Sequence, residues 1–88
     1  VKKAKAYMEY SSFSRGGLIK QLKYEGFSTR DATGAVDSLH VNWRKQAAKS
    51  ARAYLDLSGF SRSGMVRQLR YEGFTASQAA YGARAAGL

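Results

Sequence analysis

The sequence contains neither cysteine nor proline. Without cysteine, the chain can form no disulfide bond and no thiolate metal site, so neither can stabilise its 88 residues. Proline is the residue that most often interrupts a helix, and the apolar residues present are mainly alanine, leucine, tyrosine and phenylalanine. This composition favours helices. No apolar run approaches the ~18 residues that a membrane-spanning helix needs.

Acidic residues are also scarce. Six Asp and Glu residues oppose fifteen Lys and Arg residues, which gives a net charge of +9. A field of this size attracts anionic partners such as nucleic acid, anionic lipid or polymer, or an acidic protein surface. The charge alone does not choose among these partners.

Residues suited to catalysis or metal binding are few. His40 is the only histidine, and there is no cysteine with which it could share a metal ion. No nucleophile, base and orienting group occur together, and no glycine-rich phosphate loop follows a strand pattern. We therefore expect no enzyme activity, no catalytic residue, no metal, no cofactor and no small-molecule substrate.

The chain does contain one stretch written twice. Residues 1–41 align with residues 48–88 at a constant offset of 47 without a gap, and 16 of the 41 aligned pairs are identical. An internal repeat of this length predicts one supersecondary unit present in two copies. We therefore divide the chain into repeat 1 (residues 1–41), a junction (residues 42–47) and repeat 2 (residues 48–88).

Residues typical of helix ends bound a central helix in each repeat. Ser14 and Ser61 precede amphipathic patterns, and their side chains can accept hydrogen bonds from first-turn N–H groups. Gly26 and Gly73 follow these patterns, at the position where glycine adopts the left-handed conformation without steric cost.

A second helix follows each glycine turn. Ser28 with Asp31, and Thr75 with Gln78, have the spacing of a capping box. Two helices joined by a short glycine turn have a helix-turn-helix geometry.

Apolar residues keep a helical spacing from repeat 1 through the junction into repeat 2. They are Ala32, Val36, Leu39, Trp43, Ala47, Ala51 and Tyr54. Because Gly34 is the only glycine between Thr29 and Leu57, this stripe predicts one continuous helix over residues 29–57. Trp43 should lie partly buried on it. A break near residues 40–44 is the alternative.

The predicted fold is all-α, with tandem helix-turn-helix repeats in which two three-helix units share a long central helix. Its helices, about five in number, lie near residues 2–11, 15–25, 29–57, 62–72 and 76–86. Two matching sets of side chains form the predicted core: Tyr7, Phe13, Leu18, Ile19, Leu22 and Phe27, and Tyr54, Phe60, Met65, Val66, Leu69 and Phe74. Replacing Phe27 or Phe74 by alanine should each cost on the order of 3 kcal/mol.

Six side chains on the helices near residues 15–25 and 62–72 lie opposite the apolar stripe of those helices. Their positive charge or aromatic ring is the same in both copies. They are Lys20, Lys23 and Tyr24 in repeat 1, and Arg67, Arg70 and Tyr71 in repeat 2. Tyrosines and cations together are typical of protein surfaces that bind a partner, so we predict these six as partner-binding residues. The alternative is packing, in which Gly17 and Gly64 admit the preceding helix and the two tyrosines cover that contact.

The repeated strings carry a family resemblance. They are Ala-x-x-Tyr-Leu, Gly-Phe-Ser-Arg-x-Gly, Gln-Leu-x-Tyr-Glu-Gly-Phe and Gln-Ala-x-Tyr-Gly, complete in repeat 2 at residues 51–55, 59–64, 68–74 and 78–82, with Trp43 between the copies. The pattern resembles the repeat of the host cell surface-exposed lipoproteins, the Ltp family of phage superinfection-exclusion proteins. The resemblance covers essentially all 88 residues.

The resemblance implies a location and a function. Such proteins are anchored by an N-terminal lipid to the outer face of a Gram-positive cytoplasmic membrane. There they block DNA injection by an infecting phage through contact with its tape measure protein. The leader, lipid-bearing cysteine and linker of the family do not occur in these 88 residues, so membrane attachment is implied by the resemblance alone. The six partner-binding residues rest on the repeat pattern, and their charge predicts an acidic partner surface.

Two other interpretations stay open. A tandem helix-turn-helix module of charge +9 would suit DNA, but the segments that would read bases, residues 29–35 and 76–82, contain one arginine and neither lysine nor asparagine. The charge lies instead on the first two helices of each repeat and on Arg44, Lys45, Lys49 and Arg52. This distribution permits nonspecific phosphate binding. A structural cell-surface module is the third interpretation.

Overall fold

The computed structural model describes residue 5 and residues 12–88, which form helices and contain no strand. The helices are α1 (Arg15–Tyr24), α2 (Thr29–Asp37), α3 (Trp43–Leu57), α4 (Arg62–Tyr71) and α5 (Ala76–Ala85). The all-α class is therefore confirmed. The helix predicted over residues 2–11 lies outside the described residues except for Lys5, and so does Tyr7 of the predicted core. In the described part of the chain, no helix has the length and hydropathy to cross a bilayer.

The central helix of each repeat begins and ends as predicted. The Ser14 side chain accepts a hydrogen bond from the backbone N–H of Gly17 at 2.8 Å, and Ser61 accepts one from Gly64 at 3.0 Å. After the helices, Gly26 and Gly73 have φ angles of 105° and 104°. An L side chain rarely adopts such angles, which accounts for glycine at this position in both copies.

The helices after the turns also begin at the predicted caps. Thr75 Oγ1 accepts from the N–H of Gln78 at 3.2 Å, and Gln78 Oε1 accepts from the N–H of Thr75 at 3.0 Å, which completes a capping box. In repeat 1, Ser28 Oγ accepts from the N–H of Asp31 at 3.0 Å. The pairs α1–α2 and α4–α5 thus form the two helix-turn-helix units.

The prediction of one continuous helix over residues 29–57 is wrong, and so is the shared central helix of the predicted fold. α2 ends at Asp37 and α3 begins at Trp43, so the helix is interrupted over residues 38–42, close to the break near residues 40–44 that was the alternative. The helical spacing of apolar residues is present on both sides of the break because α2 and α3 each bury an apolar side, α2 in one hydrophobic cluster and α3 mainly in another.

Two residues account for the break. His40 has a φ of 51°, in the left-handed region that a helix cannot continue and that histidine enters more readily than most residues. Asn42 then adopts an extended conformation, and its Oδ1 accepts from the N–H of Lys45 at 3.2 Å. Asn42 is therefore the N-cap of a new helix.

Each repeat has its own hydrophobic cluster, and the junction adds Trp43 to the cluster of repeat 1 and Ala47 to that of repeat 2. In repeat 1, Leu18, Leu22, Ala32 and Val36 are buried, and Phe13, Ile19, Ala35, Leu39 and Trp43 pack against them partly buried. In repeat 2, the buried residues are Ala47, Ala51, Met65, Leu69, Phe74, Ala79 and Ala83, with Tyr54, Leu55, Phe60, Val66, Ala86 and Leu88 against them. Most of the predicted core, and a part-buried Trp43, are thus confirmed.

Phe27 is the exception among the predicted core residues in the described part of the chain. Its exposed fraction is 42%, whereas that of its counterpart Phe74 is 3%. The prediction that Phe27 belongs to the core is therefore wrong. The two residues follow the same Tyr-Glu-Gly string, so their local sequence does not explain the difference.

The repeats meet where the turn after α4 packs on the first turn of α1. Ser14 is buried, and its Oγ donates a hydrogen bond to the backbone carbonyl of Glu72. Gly73 lies so close that a Cβ built on it would be 2.6 Å from Ser14 Oγ. The hydroxyls of Ser12 and Ser50 lie 2.7 Å apart beside this contact. These contacts join the start of α1 to the turn after α4 and to α3.

α3 and α5 pack closely within repeat 2. A Cβ built on Gly82 would lie 2.7 Å from the carbonyl carbon of Ala47, so only glycine permits this helix crossing. The guanidinium carbon of Arg44 lies 5.6 Å from the centroid of the Tyr81 ring, within the range of a cation–π contact. The packing determines which side of α3 faces solvent.

Candidate partner-binding surface

All six predicted partner-binding residues lie at the surface. Lys20, Lys23 and Tyr24 are on α1, and Arg67, Arg70 and Tyr71 are on α4. We call this set the repeated basic face. The exposed fractions of Tyr24 and Tyr71 are 88% and 87%, so both rings lie almost fully in solvent.

The apolar residues of α1 and α4 determine this outward orientation. α1 buries Leu18 and Leu22, and α4 buries Met65 and Leu69 at the equivalent positions. Residues four apart lie on one side of an α-helix, and the four cations, which occupy other positions around the helices, are exposed. Both copies therefore present two cations and one tyrosine in the same order along the helix.

The packing interpretation of the tyrosines is wrong, because exposed rings cover no contact. Among the described residues, Gly17 lies close to its N-cap Ser14 and to the turn of repeat 2. A Cβ on Gly17 would lie 3.2 Å from the Glu72 carbonyl oxygen. At Gly64 the nearest side-chain atoms belong to Ser61, its own N-cap, and to Phe60. Gly17 has the equivalent neighbours Ser14 and Phe13, so the main difference between the two glycines is the added contact of Gly17 with Glu72.

The cations of the repeated basic face have no carboxylate partner within the described part of the chain. Arg15 differs, because its Nε and Nη2 donate to the Asp37 carboxylate at 2.7 and 3.0 Å. This hydrogen-bonded guanidinium holds the pKa of Asp37 below its usual range. Arg15 is thus neutralised within the chain, whereas Lys20, Lys23, Arg67 and Arg70 present their charge to solvent.

A hydrogen-bonded cluster of Tyr54, Gln68 and Glu72 supports the α4 half of the repeated basic face. The sequence did not lead us to predict this cluster. Tyr54 OH donates to the Glu72 carboxylate, and Gln68 Nε2 donates to the same carboxylate at 3.0 Å. Burial raises the pKa of Glu72. Glu72 directly follows Tyr71, so the cluster positions the end of α4 that carries the exposed ring. The available signal was the identity of Tyr, Gln and Glu at these positions in both copies.

His40, the only histidine, contributes to the break between α2 and α3. His40 lies in the connection between α2 and α3, where its backbone has a left-handed conformation. Within residue 5 and residues 12–88, no three side chains of His, Asp or Glu lie together as a metal ion would require.

Comparison with known families decides the class of the protein. The family model of the host cell surface-exposed lipoproteins matches residues 1–39 and again residues 42–84. The chain belongs to this family. The family consists of surface-exposed lipoproteins and is not a known enzyme class. Neither the curated proteins nor the solved structures gave a match.

Proposed function

We propose that this domain is the extracellular binding module of a membrane-anchored lipoprotein that excludes superinfecting phage by blocking DNA injection. Its partner is a phage injection component, the tape measure protein, and it acts at the outer face of a Gram-positive cytoplasmic membrane. The observation that carries the proposal is the repeated basic face, which offers two cations and one exposed tyrosine twice on a surface-exposed lipoprotein.

The charge of this face determines the chemistry of the partner. Lys20, Lys23, Arg67 and Arg70 are exposed and face no carboxylate in the described part of the chain. The partner surface is therefore acidic, and oppositely charged surfaces raise the rate of encounter. Because salt screens exposed charges over about 10 Å at 0.1 M, association should weaken as salt is added.

The contact between the repeats makes the face bivalent. Ser14 and Glu72 hold α1 against the end of α4, so the two copies of the face keep a defined separation. When one copy has bound, the other is held near the same partner at a high effective concentration. Two weak contacts can thereby produce one tight association.

The test is reversal of charge on the repeated basic face. A variant with Lys20, Lys23, Arg67 and Arg70 each changed to Glu should keep its helical circular dichroism, because the four side chains are exposed, and should lose phage exclusion. Direct binding to purified tape measure protein should fall in parallel. Undiminished exclusion by this variant would rule out the face.

A matched pair of double variants controls for net charge. Lys23→Glu with Arg70→Glu changes the charge as much as Arg30→Glu with Arg84→Glu, and all four residues are exposed. Only the first pair should weaken exclusion. Tight, sequence-selective duplex binding by the parent chain would favour the DNA interpretation, and a parent that binds no phage protein would favour a structural module.

A further inference from the structure

α3 carries three cations on its outward side. Lys45, Lys49 and Arg52 are exposed and stand four and three residues apart, the spacing that places side chains on one side of an α-helix. The opposite side faces the protein interior through four buried residues: Ala47, Ala48, Ser50 and Ala51. We call Lys45, Lys49 and Arg52 the α3 cationic stripe.

The stripe is not neutralised inside the described part of the chain. No carboxylate there lies within ion-pair distance of its side chains, and Arg52 Nη2 reaches only the Ala85 carbonyl, at 3.5 Å. Asp56 follows Arg52 by one helical turn, so three cations share this side with one carboxylate. Arg44, next to the stripe in sequence, is held over the Tyr81 ring. The stripe therefore has net positive charge available to an external anion.

An exposed apolar side chain ends the same helix. Leu57 is the last residue of α3, and its exposed fraction is 84%. At 100° per residue, Leu57 lies about 110° around α3 from the middle of the stripe, so it flanks the cations and is not in line with them. Lys and Arg side chains bind lipid phosphate groups, and an exposed apolar side chain near them can enter the acyl boundary. A nucleic acid or an acidic protein surface as the partner would explain the exposed cations but not the exposed Leu57.

We propose that the α3 cationic stripe and Leu57 dock on the anionic headgroups of the lipid membrane. The choice of lipid rests on the proposed function, because the membrane attachment proposed there for this surface-exposed lipoprotein would hold α3 near a lipid surface. Each Lys or Arg near an anionic bilayer adds about 1 kcal/mol of attraction. The inference is independent of the phage partner, since the stripe lies on α3 and the repeated basic face lies on α1 and α4. The two surfaces can be altered separately.

Vesicle sedimentation tests the stripe. The 88-residue chain should bind vesicles of phosphatidylcholine and phosphatidylglycerol and not vesicles of phosphatidylcholine alone. The triple variant Lys45→Gln, Lys49→Gln, Arg52→Gln should keep its helical circular dichroism and lose about 100-fold in binding, from three cations at about 1 kcal/mol each. Equal binding to both kinds of vesicle would overturn the proposal.

A matched variant separates the stripe from net charge. Lys20→Gln, Lys23→Gln, Arg67→Gln removes the same charge from the repeated basic face and should retain most of the vesicle binding. Equal losses in the two triple variants would reduce the effect to net charge and overturn the assignment to α3. Duplex DNA, added as a competitor at the same phosphate concentration, should displace little of the chain. Complete displacement would overturn the choice of lipid.

Fluorescence then tests the role of Leu57. Because the chain has no cysteine, Leu57→Cys and Ser77→Cys each provide one site for a polarity-sensitive fluorophore. Both positions are exposed, and Ser77 lies on α5. With phosphatidylglycerol vesicles, emission from position 57 should shift to the blue while emission from position 77 stays unchanged. No shift at 57, or the same shift at both positions, would contradict docking through the end of α3.

Discussion

The Ser14 hydroxyl donates a hydrogen bond to the backbone carbonyl of Glu72, although the two residues lie 58 positions apart in the chain. The same oxygen accepts from the N–H of Gly17 and so also caps α1. Its counterpart Ser61 caps α4 in the same way but is exposed. One side chain thus ends a helix and joins the two repeats, while its repeated copy only ends a helix.

This difference predicts unequal costs for two equivalent substitutions. Ser61→Ala should lower the free energy of unfolding by about 1 kcal/mol, the usual cost of a lost N-cap. Ser14→Ala should cost about 2 kcal/mol or more, since it also leaves the Glu72 carbonyl without its partner at a buried contact. Urea denaturation measures both values. Equal losses would mean that the contact between the repeats adds nothing to stability.

The two phenylalanines after the glycine turns provide a second matched pair. Phe74→Ala should cost about 3 kcal/mol, because the ring is buried in the cluster of repeat 2. Phe27→Ala should cost on the order of 1 kcal/mol, since 42% of that residue is already exposed. Denaturation curves of both variants decide this prediction. A loss at Phe27 as large as that at Phe74 would contradict the observed burial.

These pairs indicate what the sequence could and could not predict. Ser14, Ser61, Gly26 and Gly73 act on backbone groups within three or four residues of themselves, and their roles were predicted correctly. Phe74 packs with residues distant in sequence, such as Ala47 and Ala51, and the Tyr-Glu-Gly string that precedes both phenylalanines does not reveal this contact. The hydrogen bond from Ser14 to Glu72 is also a contact between residues distant in sequence, so it could not be predicted either.

The break between α2 and α3 was predictable in principle. Asn42 is a strong N-cap residue and lies directly before the first residue of α3. The prediction of one continuous helix gave more weight to the spacing of the apolar residues, but two separate helices have the same spacing. The outward position of the six residues of the repeated basic face followed from the periodicity, whereas the cluster of Tyr54, Gln68 and Glu72 required knowledge of how α3 lies against α4.

Glu72 predicts a specific dependence of stability on pH. Burial raises the pKa of its carboxyl in the folded state above the ordinary value of 4.5, so the folded chain holds that proton more tightly than the unfolded chain. The stability that this group contributes is full below pH 4.5 and is lost as the pH rises through the folded-state pKa. Glu72→Gln removes the loss of stability at higher pH, because the amide does not ionise, and its carbonyl oxygen can still accept the hydrogen bond from Tyr54 OH. The variant should therefore gain stability relative to the parent between acid and neutral pH.

Asp37 serves as the control of opposite sign. Arg15 lowers the pKa of Asp37, so the stability from this pair is present above the unfolded value of 3.8 and is lost as the pH falls through the folded-state pKa. Asp37→Asn should therefore differ from the parent least at low pH. Denaturation at a series of pH values measures both differences. A constant offset between Glu72→Gln and the parent across this range would contradict the role of burial.

The exposed tyrosines separate binding from stability. Because Tyr24 and Tyr71 are 88% and 87% exposed, changing either to alanine should alter the free energy of unfolding by no more than about 0.5 kcal/mol. Each change should weaken association with the proposed partner, the tape measure protein, by about tenfold, as for tyrosines that anchor an interface. If both copies of the face bind one partner, the double variant should lose far more than either single variant, because the gain from effective concentration disappears.

Tyr81→Ala is the matched control for this experiment. The Tyr81 ring is partly buried beneath the Arg44 guanidinium, so its removal should lower stability and leave the association unchanged. Calorimetric titration with the phage protein, together with urea denaturation of each variant, distinguishes the two effects. A double variant of Tyr24 and Tyr71 that binds as tightly as the parent would remove both rings from the interface. A loss confined to one of the single variants would instead assign binding to one repeat, because a bivalent face requires a contribution from each copy.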